Sequence, residues 1–379
     1  MDTIAILERL VGFPTVPTAS NLDLLNWVEG HLAPLNPRFR RFPSPDGTKA
    51  NLFVSLGPEG PGGLVLSGHT DVVSTEGQAW TGDPFRLRDD GARLIGRGTT
   101  DMKGFLAACL GALPEAVAGG LARPLHLALS YDEEVGCTGV RSMTDWLAGS
   151  GLAPVLAVIG EPSRLQVVNA HKGGLVGRVD VTGVPGHSSQ PDRGVNAVMV
   201  AAGAVVCFEE LGAAMRAGPR DPAFDPPWST VQVNTIQGGE GRNILAGHCT
   251  FSWEMRLLPG TDPEDALARV TAAVADRLAP RFAGFPTAGA RVEVDLRVPA
   301  LRPEPEAVEG PLLALLGQAK SLAVPYGSEA GLFQEAGCPA VILGPGDIAQ
   351  AHQADEHLDR DQLAGCEALV GRLVAHYCR

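Results

Sequence analysis

Along its first 175 or so residues the chain alternates two patterns of apolar and polar positions. Thr3 to Val11, Leu22 to Leu32 and Phe105 to Val117 repeat apolar residues at helical spacing. Between them stand short apolar runs closed by Gly, Pro or polar turns: GGLVLSGH (62–69), LHLALS (125–130) and VLAVIGEP (155–162). Runs apolar on both faces predict buried strands of a largely parallel sheet flanked by helices. The same style returns near the C-terminus. There Leu312 to Lys320 reads as helix, CPAVILGPG (338–346) as a buried strand, and Asp361 to Tyr377 as a closing amphipathic helix.

The middle of the chain is patterned differently. LVGRVDVTG (175–183) is followed by a helix from Asn196 to Met215, then by STVQVNTIQGG (229–239) and HCTFSWEMRLL (248–258). A helix from Pro263 to Phe282 and the strand ARVEVDLRV (290–298) complete a β-α-β-β-α-β order. That order predicts a small α+β domain with an antiparallel sheet. The expected organisation is therefore a discontinuous α/β domain, 1–174 with 299–379, carrying an inserted domain at 175–298.

At 379 residues, two domains are the natural prior, and 45% hydrophobic with 19% charged residues is ordinary globular composition. No 18-residue apolar run escapes interruption by charge, Pro or Gly, so no membrane span is expected. The N-terminal stretch carries early acids and no basic region, unlike a signal peptide. A net charge of −13 without a basic face argues against nucleic acid. Seven scattered cysteines without a CxxC pair predict reduced thiols and a cytoplasmic protein.

In open α/β sheets, ligands collect outside the carboxyl ends of the strands. His69 and Asp71 follow LVLSG, Asp101 follows LIGRGTT, and Glu133 and Glu134 follow LHLALSY. Glu161 follows VLAVIG, and His352 follows VILGPG across a short loop. Singly, each has a bland reading: Asp101 before MKGFLAA, for instance, can cap a helix. Jointly, two histidines and five acids on one sheet edge predict a metal site. Imidazole and carboxylate without thiolate suit Zn²⁺, with Mn²⁺ or Co²⁺ as substitutes. Two ions about 3.5–4 Å apart would need one shared carboxylate. Glu134 would then neutralise a metal, Glu133 would stay free to take a proton, and Asp71 would orient the His69 imidazole.

These residues lie in stretches that resemble the acetylornithine deacetylase, succinyl-diaminopimelate desuccinylase and aminoacylase family of co-catalytic zinc metallohydrolases. The matching stretches are SGHTDVV (67–73), GRGTTDMKG (96–104), YDEEVG (131–136), GEPS (160–163), GVPGHSSQPDRGVNA (183–197) and QAHQADEHL (350–358). They stand in the family's order and cover essentially the whole chain. The resemblance implies that His69 and Glu161 hold one metal, His352 and Glu134 the other, and that Asp101 bridges them. It implies Glu133 as general base, and an inserted lid domain that forms a homodimer. The histidine of that domain, His187, would hold the developing oxyanion in the partner's site. Asn243 in GGEGRNIL and Arg256 in WEMRLLP match the family's carboxylate binders, and Gly327 and Ser328 in YGSEAG would add donors.

YGSEAG, LGPGDIAQAHQADEHL and NAHKGG look more like the acetylornithine deacetylase branch than the desuccinylases. The branch implies hydrolysis of N-acetyl-L-ornithine to L-ornithine and acetate, a step of arginine biosynthesis. Desuccinylase, dipeptidase or other acyl amino acid deacylase activity is the alternative, since the metal chemistry is shared. Ser188 and Ser189 beside His187 lack a GxSxG elbow, which disfavours a serine hydrolase. Lys103 and Lys172, in MKG and KGG turns, are expected to be structural.

Overall fold

The computed structural model describes residues 1–379, which divide into two compact units. The first comprises Met1–Ala170, Pro303–Leu322 and Ser328–Arg379, and the second His171–Arg302 with Ala323–Gly327.

The first unit is an α/β structure built on an eight-stranded sheet. Its four central strands, in the order Leu125–Ser130, Leu64–His69, Leu156–Pro162 and Ala340–Gly344, run parallel. All their residues are buried, as the unbroken apolar runs require. One edge is antiparallel: Arg38–Pro43 pairs with Ala50–Leu56, which pairs with Leu125–Ser130. The outermost of these, RFRRFP, offers three arginines and no apolar run, so its sequence does not announce a strand. Helices Thr3–Val11, Leu22–Leu32, Lys103–Ala118 and Arg360–Tyr377 enclose the core, in which Leu66, Phe105, Leu110 and Leu373 are almost wholly buried. One expected helix is displaced. It spans Glu306–Leu316 rather than 312–320, because Gly317 adopts φ 68°, a left-handed C-terminal cap that stops it.

A small three-stranded sheet joins distant stretches of the first unit. His357–Asp359 pairs with Arg93–Ile95, which also pairs with Arg88–Asp89. This pins the loop carrying His352 to the stretch that leads into Asp101.

The second unit holds a wholly antiparallel four-stranded sheet in the order Thr230–Gly238, His248–Leu257, Gly173–Thr182 and Gly289–Val298. Helices Ala197–Ala217 and Pro263–Phe282 share its core with Trp253, Phe208 and Phe251. Gly177 sits opposite Trp253, where a Cβ would come within 2.5 Å of the indole and 2.0 Å of the Glu293 carbonyl oxygen. Ala197–Ala217 is long and apolar enough to cross a membrane. Here it buries Val200, Ala204, Phe208 and Leu211 within the unit's core.

All seven cysteines are buried and unpaired. Lys103 donates to the Phe13 carbonyl at 2.7 Å, and Lys172 donates to the carbonyls of Pro226 and Trp228 at 2.8 and 2.7 Å. Both ammonium groups thus tie backbone segments together.

Candidate metal centre

Seven strand-end residues of the first unit gather at the carboxyl edge of its parallel strands. Leu64–His69 delivers His69 as its last residue, Leu156–Pro162 delivers Glu161, and the turn after Leu125–Ser130 delivers Glu133 and Glu134. Asp101 precedes helix Lys103–Ala118 but does not cap it. The cap position is Met102, with no side-chain hydrogen bond. The Asp101 carboxylate is therefore committed elsewhere.

It lies between two imidazoles. Oδ1 is 3.0 Å from His69 Nε2, and Oδ2 is 3.1 Å from His352 Nε2. On the His69 side, Glu161 Oε1 stands 3.7 Å from the same Nε2. On the other, Glu134 Oε2 is 3.0 Å from His352 Nε2. One carboxylate thus faces two nitrogen–oxygen groups, each completed by its own acid. Ligand atoms of His69, Asp101 and Glu134 lie within 4.8 Å of one another, as do those of His69, Glu133 and Glu161.

The tautomer of His69 can be read from its partners. Nδ1 lies 2.9 Å from the Asp71 backbone oxygen, which only accepts. Nδ1 therefore carries a proton, and Nε2 is the nitrogen that faces the acids. Asp71 orients the ring, but through its carbonyl; its carboxylate is farther, at 3.7 Å. That carboxylate instead accepts from the backbone N–H of Glu134 through Oδ2 at 3.1 Å, tying the Glu133–Glu134 turn to the His69 strand.

The electrostatics are those of a site that attracts positive charge. Asp101 is held well below the usual carboxylate range: burial opposes this, but hydrogen bonds from His352 and His69 outweigh it. Hydrogen bonds to Asp101 and Glu134 push His352 up to about 10. Burial, then the charges of Asp101 and Glu133, push Glu161 well up. Burial also pushes Glu133 up to about 8, with Glu134 and Glu329 adding to it. Glu161 Oε1 and Asp71 Oδ1 are buried without a hydrogen-bond partner. Acids packed this closely, with orphaned oxygens and an imidazole nitrogen directed among them, fit divalent cations bound by hard O and N donors.

Three participants carry no strand-end signature. Cys137 Sγ lies 3.3 Å from Glu133 Oε1. Glu329 is almost wholly buried near Ser67 and Ser130, and burial pushes it up to about 7. Glu356 accepts from the backbone N–H groups of Thr100 and Asp101 at 2.9 and 3.0 Å. Glu356 stands inside the QAHQADEHL stretch, which was the one signal available for it.

Of the remaining candidates, His187, Asn243, Arg256 and Gly327 belong to the second unit and Ser328 to the first. His187, exposed in the second unit, has Nδ1 2.7 Å from the Ser189 hydroxyl, and the N–H of Ser188 donates to the Asn243 carbonyl at 3.0 Å. Arg256, on strand His248–Leu257, pairs with Glu254 at 3.3 Å. Gly327 closes the second unit's short terminal segment. Ser328, in the first unit, is fully buried and its hydroxyl accepts from the Ala330 N–H at 3.2 Å.

Residues 65–376 match the model of peptidase family M20/M25/M40. Over 391 residues the chain is 35% identical to an acetylornithine deacetylase of Yersinia pestis, covering 99% of this chain and 97% of that one. It is 35% identical to the acetylornithine deacetylase of Edwardsiella ictaluri, with 99% and 98% covered. Among solved structures, an aminopeptidase of Bacillus cereus superposes with a TM-score of 0.75 at 19% identity, with 98% of each chain covered. An M20 metallo-carboxypeptidase of Sulfolobus solfataricus gives 0.76 at 16% identity, with 99% of each covered. These two share the fold. The chain is a metal-dependent hydrolase, and it belongs to peptidase family M20/M25/M40.

Proposed function

We propose that this protein removes the acyl group from an N-acyl amino acid with two divalent ions, Zn²⁺ foremost and Co²⁺ or Mn²⁺ as substitutes. N-acetyl-L-ornithine is the substrate, which places the reaction in arginine biosynthesis in the cytoplasm. One observation carries the two-ion reading: Asp101 turns one oxygen to His69 and the other to His352. The choice of substrate is supported by the relatives named acetylornithine deacetylase over the full length of the chain.

In this reading His69, Asp101 and Glu161 would hold one ion, and His352, Asp101 and Glu134 the other. Bound there, the ions would act as Lewis acids on the acyl carbonyl and make water a stronger acid. The chain's own residues do the rest. Glu133 accepts a proton from the attacking water at its carboxylate and hands it to the leaving amine. Without metal, burial and the charges of Glu134 and Glu329 raise its carboxyl to about 8, and bound cations would draw it down toward the range of a base that works near neutrality. Asp71 keeps the His69 Nε2 lone pair directed by accepting from Nδ1.

The proposal extends to the second unit by its resemblance to the family. Arg256 and Asn243 bind the substrate carboxylate, for which a guanidinium fork is suited. Gly327 and Ser328 donate to it as well. His187 stabilises the oxyanion, a role worth about 3 kcal/mol for one donor, and the working form is a homodimer assembled through the inserted unit.

The test is amine release by the zinc-loaded protein from N-acetyl-L-ornithine and N-succinyl-L,L-diaminopimelate, each with a chelated control. Chelator-sensitive turnover of the acetyl substrate is expected. Preference for the succinyl substrate would keep the metal chemistry and move the enzyme to the desuccinylase branch.

A further inference from the structure

Behind the second proposed metal position a chain of polar contacts, buried at Arg97 and Glu356, runs out to the surface at His352, and the hydrolytic reading does not use it. Arg97 and Glu356 are each 1% exposed, and Arg97 Nη1 donates to Glu356 Oε2 at 2.6 Å. The other Glu356 oxygen accepts from the backbone N–H groups of Thr100 and Asp101. The second arm of the guanidinium, Nη2, donates to Gln78 Oε1, and the plane of Arg97 lies over the Trp80 ring with its Cζ 5.1 Å from the centroid. Gln78 Nε2 then donates to the His352 carbonyl at 2.9 Å.

One guanidinium therefore connects the backbone of Asp101 to the backbone of His352. The His352 end needs such a tie. Its side chain is 53% exposed, and its φ is 62°, a left-handed conformation that a non-glycine residue keeps only where its surroundings impose it. The Asp101 end needs one too, because two oxygens of a single carboxylate must face two different imidazoles at 3.0 and 3.1 Å.

We propose that Arg97, with Glu356 and Gln78, is a positioning device that sets Asp101 and His352 in register for the second metal position. The inference rests on the two-ion reading above. The fork geometry is essential to it: a lysine can neutralise Glu356 but cannot also reach Gln78.

The experiment is calorimetric titration of metal-stripped protein with Zn²⁺, comparing wild type, Arg97→Lys and Gln78→Ala, with circular dichroism and Tm recorded for each. Wild type is expected to take two equivalents. In both variants at least one equivalent should weaken about 10- to 100-fold, the usual effect of removing a partner that orients a ligand. In Gln78→Ala, a half-buried surface change that leaves the Arg97–Glu356 pair in place, the other equivalent should be unchanged. Two folded variants that bind both equivalents within twofold of wild type would overturn the inference. So would a fall in Tm with unaltered affinities, which is all a purely structural ion pair would produce. A wild-type protein that takes fewer than two equivalents would instead overturn the two-ion reading itself.

Discussion

Oδ2 of Asp101 lies 3.1 Å from Nε2 of His352, although one residue is buried in the first half of the chain and the other is exposed near its end. The contact uses the carboxylate oxygen that His69 leaves over. Replacing Asp101 with Asn removes the symmetric acceptor, since an amide offers one oxygen and one donor nitrogen. Asp101→Asn should bind at most one equivalent of Zn²⁺ tightly and lose more than about 100-fold in kcat, in line with the loss of an oriented charged group. Metal analysis of the dialysed variant, read beside its turnover of N-acetyl-L-ornithine, checks both.

Glu133 is assigned to proton transfer and not to metal binding. Glu133→Gln should therefore keep both metal equivalents while kcat falls about 10²- to 10⁴-fold, the range for a general base. A variant that loses metal along with activity would reassign Glu133 to the ligands.

The crowded acids also dictate a pH dependence for the metal-stripped protein. Glu133 is raised to about 8 from an ordinary carboxylate value, and His352 to about 10 from an ordinary imidazole value. In both cases the folded state binds a proton that the unfolded state has released. Stability is therefore fully present at low pH. It declines through the window from about 4.5 to 8 for Glu133, and from about 6.5 to 10 for His352. Thermal melts of chelator-treated protein should show Tm falling from pH 5 to pH 9. Zn²⁺ should raise Tm most at the alkaline end, because its ligands must shed protons to bind.

His187 offers a test of assembly. If it acts across a dimer, mixing His187→Ala with Glu133→Ala should restore up to about a quarter of wild-type activity through heterodimers, by random pairing of one intact site. Each variant alone should stay inactive. A sedimentation run on the same mixture separates a true monomer, for which no rescue can occur.

In the second unit, Trp253 is 1% exposed and packs beside Phe208 in a tilted arrangement with ring centroids 5.6 Å apart. Trp253→Ala should cost about 3–5 kcal/mol. Gly177→Ala should also destabilise, since the strand carrying Glu293 and the indole both occupy the space its methyl needs. Urea unfolding followed by far-ultraviolet circular dichroism would measure each.

Much of this architecture was legible from local pattern. Helices Thr3–Val11 and Leu22–Leu32 have the ends their periodicity predicts, and LHLALS and VLAVIGEP are strands because apolar runs of that length have nowhere to go but a covered sheet. The strand-end acids were legible for the same reason, as charges placed where a buried strand should relax into a neutral turn. What escaped was whatever depends on a partner far away in sequence. RFRRFP becomes a strand only because Ala50–Leu56 offers it an edge. Helix Arg141–Gly149 leaves little mark in the pattern, since it buries only Met143, Thr144 and Leu147. The carbonyl of Asp71, and not its carboxylate, holds His69, and backbone acceptors leave no mark in a side-chain pattern. Likewise Gln78 reads as an ordinary loop residue until His352 is folded against it.

The discontinuity of the first unit has a consequence for the newborn chain. His69, Asp101 and Glu161 all lie within its opening segment, Met1–Ala170, whereas His352 belongs to its closing segment, Ser328–Arg379. As the polypeptide leaves the ribosome, three of these groups emerge before any of the second unit is made, and the fourth emerges only after it is complete. The whole second unit is thus made while the cluster of acids is half built, and the cluster closes only once His352 has followed it.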